Sequence, residues 1–520
     1  MTGLPILLRL ALRRDRVMLP AWVLGLGLAV LVTATSYSDL YATEADRRQV
    51  VTTLGSTPAT LALYGRIYAD SVGGLVGWRL GGIALALAGL MAILLVIRHT
   101  RAEEETGRAE LLGATAISRD APLAAALITA GSASVALGII TTLALVAAGL
   151  PTTGAVALGL VYALTGLAFA GIAAVTAQLT ESSRAANGLA IAVLGAAFAI
   201  RAVGDAGPHA LSWLSPLGWG QAVRAFGDER WWALLLPLAL AALSTVGAVR
   251  LKQRRDLGAG ILPPRPGPAE GALETAGHLA WRLQRGTLAG WAAAYAILGL
   301  AFGSIANDIG DVIGDSPDVR EALRKLGGQQ SLTDAYLSAT LSILALVAAA
   351  YTIQATLRLR AEESGGHAEP LLATATSRTR WALSHAMIAL AGTMLLMFVA
   401  GVAAGIGHAA QTGDLSQLFR VVNTATLQTP AAWTLGAVAL LLFGAAPRLT
   451  TAAWGVLALC LALGQLGEVA DLPQALIDVS PFAHGPTLGN DPGLAPFVLF
   501  VITLALAWAG LKALETRDIG

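Results

Sequence analysis

Two short stretches carry the densest array of reactive side chains in this 520-residue chain. Residues 101–119 read RAEEETGRAELLGATAISR and residues 360–378 read RAEESGGHAEPLLATATSR; aligned without gaps, 13 of the 19 positions match. Three carboxylates recur in each copy, Glu103, Glu104 and Glu110 in the first and Glu362, Glu363 and Glu369 in the second. Guanidinium groups are interleaved with them: Arg101, Arg108 and Arg119, then Arg360 and Arg378. On a helix, Arg101 and Arg108 lie two turns apart, as do Glu103 and Glu110, so each pair shares a face. A Glu104–Arg108 pair at i,i+4 adds only ~0.3 kcal/mol. Gly107 and Gly366 permit a sharp bend, and Leu111 and Leu112, then Leu371 and Leu372, supply an apolar edge. Ordered charges beside a leucine edge suit a short helix docking into a groove on a partner protein. A solvated loop that only satisfied membrane topology would need the arginines, but neither the glutamates nor the glycine. The spans around the two copies hardly resemble each other, so packing is not expected to account for the repetition.

Other chemistries have no footing in the sequence. It holds no Gly-Lys dipeptide, hence no GxxxxGK[ST] phosphate loop, and no HExxH or GxSxG motif. The seven histidines are scattered and the single cysteine, Cys460, excludes an intrachain disulfide. No catalytic residue, metal ligand, cofactor site or substrate-binding residue is assigned. The acidic run Asn307 to Asp318 lacks the DxDxDG spacing of a calcium loop and reads as a solvated face.

The elements that must position the two stretches are membrane spans. Hydrophobic residues make up 55% of the chain and charged residues 13%, against about 25% charged in an ordinary soluble domain. With a mean hydropathy of +0.66, the composition excludes a cytosolic enzyme, and a net charge of +1 points to no nucleic-acid partner. Runs of about 20 apolar residues, the length that crosses a bilayer, centre on Leu28, Leu87, Ala136, Leu167, Val193, Ala239, Ala296, Leu346, Leu395, Val438, Ala458 and Ile502. The fifth, near Asn187 to Val203, and the tenth, near Ala431 to Ala446, are the shortest. The fold class is therefore an all-α polytopic membrane protein of about twelve transmembrane helices. The first run resembles a signal peptide, but LALRRDRVMLPAW (Leu10 to Trp22) is echoed by LAWRLQRGTLAGW (Leu279 to Trp291) deep in the chain, so it reads as a retained span.

About two thirds of the 34 Lys and Arg residues fall in the N-terminus, the C-terminus and the loops after the even-numbered spans. That asymmetry places both termini in the cytoplasm. Both repeated loops follow the second span of a half, and Ser215-Pro216-Leu217 and Ser480-Pro481-Phe482 echo each other before the last span of each half. The chain thus reads as two parallel six-helix halves, residues 1–250 and 279–520, joined by a cytoplasmic linker, 251–278. The basic cluster KQRRD in that linker is expected to face anionic lipid headgroups.

The loop pattern E-E-x-x-G-x-x-E followed by leucines and S-R resembles the cytoplasmic loop between the second and third spans of ABC-2 type transporter permeases. A basic amphipathic segment before the first span (Leu4 to Arg16), six spans per half and a bent segment between spans 5 and 6 (Arg201 to Arg230, and Gly467 to Pro492) agree with that family. The double-length form is similar to fused permeases that export polyketide antibiotics and other drugs. The resemblance implies the ABC-2 exporter transmembrane fold in the cytoplasmic membrane. It also implies two copies of a separate ABC ATPase subunit carrying ATP and Mg, and no cofactor in this chain. Glu103, Glu104, Gly107 and Glu110 would form one coupling helix, Glu362, Glu363, Gly366 and Glu369 the other, with the flanking arginines and leucines named above. The second copy departs at Ser364, His367 and Pro370, where the first has Glu105, Arg108 and Leu111.

Charged residues are almost absent from the middle of the apolar runs, where each would cost at least ~2.5 kcal/mol. That absence implies a lipophilic substrate, a drug or lipid. Arg79 is expected to snorkel at the outer edge of span 2, Gln178 and Glu181 to sit at the interface, and Trp213, Trp219, Trp231 and Trp232 to anchor the outer ends of spans 5 and 6. Gly73, Gly77 and Gly81, and again Gly401 and Gly405, have the spacing of close helix contacts. A proton-coupled secondary transporter of the twelve-span, parallel-repeat type is the alternative, and it requires titratable residues at mid-membrane.

Overall fold

The computed structural model describes residues 2–53, 55, 58–113, 115–262, 275–306, 329–466 and 473–518. All regular structure among them is helical. Among the described residues eleven helices are long and apolar enough to cross a membrane, and a twelfth apolar helix, Ala452–Leu466, is shorter. Within the described residues the short span is therefore the eleventh, and neither the fifth nor the tenth. The fifth runs over Ser183–Ala206 and the tenth over Ser416–Ala445. The tenth is longer than its apolar stretch because a more polar helix, Ser416–Leu427, is separated by one residue from Thr429–Ala445, with Pro430 in the first turn of the second piece.

Two compact units divide the chain, residues 1–266 and 267–520. In the first, helix α1 (Leu4–Arg14) precedes the span α2 (Met18–Leu40). Short helices α3 (Glu44–Thr53) and α4 (Pro58–Tyr64) lead to a second span broken into α5 (Val72–Leu80) and α6 (Ile83–Arg98). Helices α7 (Arg101–Glu105) and α8 (Arg108–Gly113) hold the first repeated stretch. The spans α9 (Ala121–Ala147), α10 (Thr152–Leu179) and α11 (Ser183–Ala206) follow, then the short α12 (Pro216–Ala222) and the last span of the unit, α13 (Leu235–Gln253). α10 is the central element of this unit, buried over most of its length against α6, α9 and α13. Its small residues permit that: a Cβ at Gly159 would stand 2.5 Å from the Gly138 carbonyl of α9, so the two backbones touch.

The second unit opens with α14 (Ala276–Ile305) and α15 (Gln329–Thr356). The second repeated stretch lies in α16 (Arg358–Ser364) and α17 (Ala368–Leu372), followed by α18 (Arg378–Thr412). α19 (Ser416–Leu427), α20 (Thr429–Ala445), α21 (Ala452–Leu466), the short α22 (Gln474–Ile477) and α23 (Ala495–Thr516) complete the unit. α14 and α18 meet backbone to backbone: a Cβ on Gly303 would lie 2.0 Å from the Ala404 carbonyl, and one on Gly299 2.6 Å from that of Ala400. Gly401 and Gly405 make the close approach expected of them, against Val422 and Leu418 of α19. The ridge of Gly73, Gly77 and Gly81 does not meet another span. It lies against Gln221 of α12 and Phe226 just beyond it.

Candidate functional site

In the first unit, the span α6 gives way at His99–Thr100 to α7, and Gly107 then turns the chain into α8 with φ 72°. A side chain at that φ meets its own backbone, which is why glycine stands there. A Cβ on Gly107 would find no other atom within 4 Å, so the requirement is conformational. Gly366, at φ 71°, makes the same turn between α16 and α17.

The loop is bolted to its own unit. Arg101 is fully buried; it donates through Nε to the Ala177 carbonyl at 2.9 Å, through Nη1 to Glu104 at 2.8 Å and to the Gly258 carbonyl, and through Nη2 to the Ala259 carbonyl. Arg255, just past the end of α13, grips both oxygens of the Glu104 carboxylate, at 2.7 and 2.8 Å, and donates through Nε to Gln178 at 2.8 Å. Bidentate arginine–carboxylate geometry is among the strongest of charge-assisted contacts. Glu103 pairs with Arg14 of α1 and, at 3.6 Å, with Arg108. Glu105 accepts from the backbone N–H and hydroxyl of Ser183 at the start of α11. Arg119 donates to the Arg255 carbonyl at 3.0 Å and to that of Lys252 at 3.5 Å. These bonds gather α1, the ends of α6, α10 and α13 and the starts of α9 and α11 at one end of the unit.

The second copy repeats the plan. Glu363 is held by Arg360 at 3.0 Å and by Arg517, just past the end of α23, at 2.7 Å. Arg517 also lies over the Phe443 ring, its guanidinium carbon 4.8 Å from the centroid. Arg378 donates to the carbonyls of Glu515 and Arg517, as Arg119 does to the segment after α13. Glu362 pairs with Arg358 at 2.7 Å. Packing therefore does account for part of the repetition. In each unit the second glutamate of the loop clamps an arginine that follows the unit's last span, and the loop's final arginine braces the same segment.

The predicted docking residues thus separate into two groups. Arg101, Glu104 and Glu363 are buried or nearly so within the clamps, whereas Arg119, Arg360 and Arg378 reach the same segments from exposed or half-exposed positions. Glu110 and Glu369 are exposed, Leu111 is 75% exposed, and Arg108 is largely solvated. Leu371 and Leu372 differ from Leu111: they are half-buried against a cluster around Leu359, Trp381 and Phe443. Leu112 continues α8, but its side chain lies outside the described residues. The same holds for the run Asn307 to Asp318, for 263–274 of the expected linker and for 467–472 of the second bent segment.

Sequence reasoning missed the arginines that close the clamps. The KQRRD cluster does not wholly face outward, because Arg255 within it is buried. The next residues return to α10, where Ile261 and Leu262 donate to the carbonyls of Gln178 and Leu179. Gln178 is buried and bonded to Arg255; Glu181 is exposed. The spacing of Arg255 and Arg517 after the last span of each half was the available signal. At the opposite end of the first unit, Arg201 does not open the bent segment expected over Arg201 to Arg230. It is instead fully buried in α11, donating to the Ala62 carbonyl at 2.7 Å beside Asp205 at 3.6 Å. Arg79 is exposed, 4.3 Å above the Tyr64 ring. Trp213 and Trp232 stack 5.6 Å apart, and Trp219 donates to the Trp213 carbonyl.

Beside the first clamp lies a cavity of about 470 Å³. Its apolar wall comes from α1 and α9 (Leu7, Leu10, Leu123 and Ala126), and its polar wall includes Arg14, Glu103, Arg119, Lys252 and Arg255. Partial burial, with Arg98 and Arg108 nearby, lowers the pKa of Arg14 from its ordinary value.

A protein-family model described as the C-terminal domain of the multidrug efflux system permease Rv1217c matches residues 5–252 and 273–514. A protein of Mycobacterium tuberculosis named multidrug efflux system permease protein Rv1217c is 45% identical over 524 residues, covering 100% of this chain and 95% of that protein. Bearing the spans and loop architecture described above, with nearly its whole length matched, the chain belongs to the family of the multidrug efflux system permease Rv1217c.

Proposed function

We propose that this chain is the membrane-spanning permease of an ATP-driven multidrug exporter, powered by two copies of a separate ABC ATPase subunit that dock on α7–α8 and α16–α17. The observation that carries this reading is the division of labour within each loop. One glutamate is locked to the end of the unit's last span, while a second, one turn beyond the glycine, stands exposed (Glu110 and Glu369). A loop built to transmit force needs both a rigid attachment to the spans and a free edge for the partner. Motion imposed on α8 would reach α13 through Glu104–Arg255 and α10 through Arg101, without bending a flexible tether. Both repeated loops, and with them both termini, would face the cytoplasm, and the ATP and Mg would belong to the partner subunit.

The name of the relative and the greasy interior together support a lipophilic small-molecule substrate. Buried acids, arginines and histidines within the described spans (Arg101, Arg201, Asp205, His385 and His408) all lie within about two turns of a helix end, which offers little for a proton-coupled mechanism working at mid-membrane. Co-expression with the ATPase subunit of the same efflux system, followed by affinity purification, tests the docking. Glu110→Lys combined with Glu369→Lys should abolish the complex while the chain still inserts in the membrane. A normal complex with normal ATPase activity would remove the reading.

A further inference from the structure

The cavity beside the first clamp shares Glu104 and Arg255 with it, yet has a chemistry of its own. One wall is apolar and belongs to α1 and α9; the facing wall is crowded with cations. Nearly all the carboxylates around it are already engaged. Glu104 is held by Arg101 and Arg255, Glu103 by Arg14 and Arg108, and Asp15 by Arg98 and His99. Asp120 lies 3.7 Å from Lys252, and Asp256 is turned to solvent. Arg119, by contrast, meets only carbonyl oxygens and has no carboxylate partner among the described residues. The neighbouring Ser118 hydroxyl is buried, lines the cavity and has no hydrogen-bond partner among those residues.

The source of a ligand is indicated by α1. Leu7 packs on Ala121 and Ala125 of α9 and Ala11 is buried, whereas Ile6, Leu10 and Leu12 are exposed between Arg9, Arg13 and Arg16. A basic amphipathic helix of that kind lies in the headgroup layer, and Leu10 both faces outward and lines the cavity. The opening is thus at the depth of lipid headgroups, and the volume is that of a small-molecule pocket. We propose that this cavity binds the acidic head and first chain segment of an anionic phospholipid, with Arg119 and Lys252 on the head and Leu7, Leu10 and Leu123 along the chain. The site is independent of the ATPase reading, because it requires only the permease.

The test uses the purified full-length chain in a neutral detergent. Bound lipid is counted by native mass spectrometry with phosphatidylglycerol and phosphatidylcholine of identical chains. Saturable binding of one phosphatidylglycerol, preferred by about tenfold or more, is expected from one added charged contact. Arg119→Gln and Leu10→Trp should each weaken it by about tenfold, Arg119→Lys should largely restore it, and Arg448→Gln, which removes a cation outside the cavity, should leave it unchanged. The thermal midpoints of these variants report whether the fold is intact. Equal binding of the two lipids, or undiminished binding by both Arg119→Gln and Leu10→Trp, would overturn the proposal. So would displacement of the lipid by inorganic phosphate alone, which would mark a free-anion site.

Discussion

Glu104 and Glu363 hold their loops in place before any partner arrives. Each is nearly buried and bound by two arginines, of which Arg101, Arg255 and Arg517 have lost most of their water. Removing one partner of such a group leaves the others uncompensated, which costs about 3 kcal/mol or more. Glu104→Gln should therefore lower the thermal midpoint of the purified chain by several degrees, measured by tryptophan fluorescence in detergent. Arg255→Gln should do the same, and the double variant should lose much less than the sum of the two, since the pair acts as a unit. Glu110→Lys, on an exposed face, should leave the midpoint within about a degree of the parent, because surface substitutions away from such features stay near ±0.5 kcal/mol. If Glu104→Gln proves as harmless as Glu110→Lys, the clamp is a surface decoration.

The glycine hinges define the next level. At Gly107 and Gly366 the backbone adopts a left-handed φ with open space around the missing Cβ. A substituted residue therefore meets only its own backbone, at about 1 kcal/mol for alanine and less for asparagine, which tolerates this region. Gly107→Ala should shift α8 relative to α7 and weaken the complex with the ATPase subunit several-fold, read by affinity purification across a concentration series, with membrane insertion unchanged. Gly107→Asn should retain most of the binding. An alanine variant with parental affinity would show that the bend is incidental. The spans show a related lesson. The tenth reads as short because only Ala431 to Ala446 is uniformly apolar; the preceding α19 carries Arg420, paired with Asp334 at 2.7 Å, and packs Leu418, Val422 and Ala425 onto Gly405 and Gly401 of α18. Hydropathy measures what a helix would face in lipid, and one face of this helix, with Val421, Thr424 and Ala425, is covered by protein instead.

For the chain as a whole, the decisive question is which side of the membrane the loops occupy. Leu111 is exposed and the chain has one native cysteine, Cys460, which is buried. In a Cys460→Ala background, Leu111→Cys should react with a membrane-impermeant maleimide in inside-out vesicles and stay unlabelled in intact cells. The opposite pattern would put the loops outside and end the docking proposal. The family relationship and the apolar helices establish a multi-pass membrane permease; the labelling experiment supplies its orientation.

What the residues alone determined is the part governed by local chemistry. Apolar runs long enough for a bilayer marked the spans, a repeated 19-residue stretch marked the two loops, and the glycine within it marked the bend, because backbone sterics act over a few residues. What only the tertiary structure decided is which of the repeated charges look inward. Glu104 and Arg255 are separated by 151 residues, and nothing in their spacing announces that two helix ends will bring them together. Burial and partnership are properties of the packed chain. The same glutamates that read as a docking face therefore proved to be divided between a buried clamp and an exposed edge.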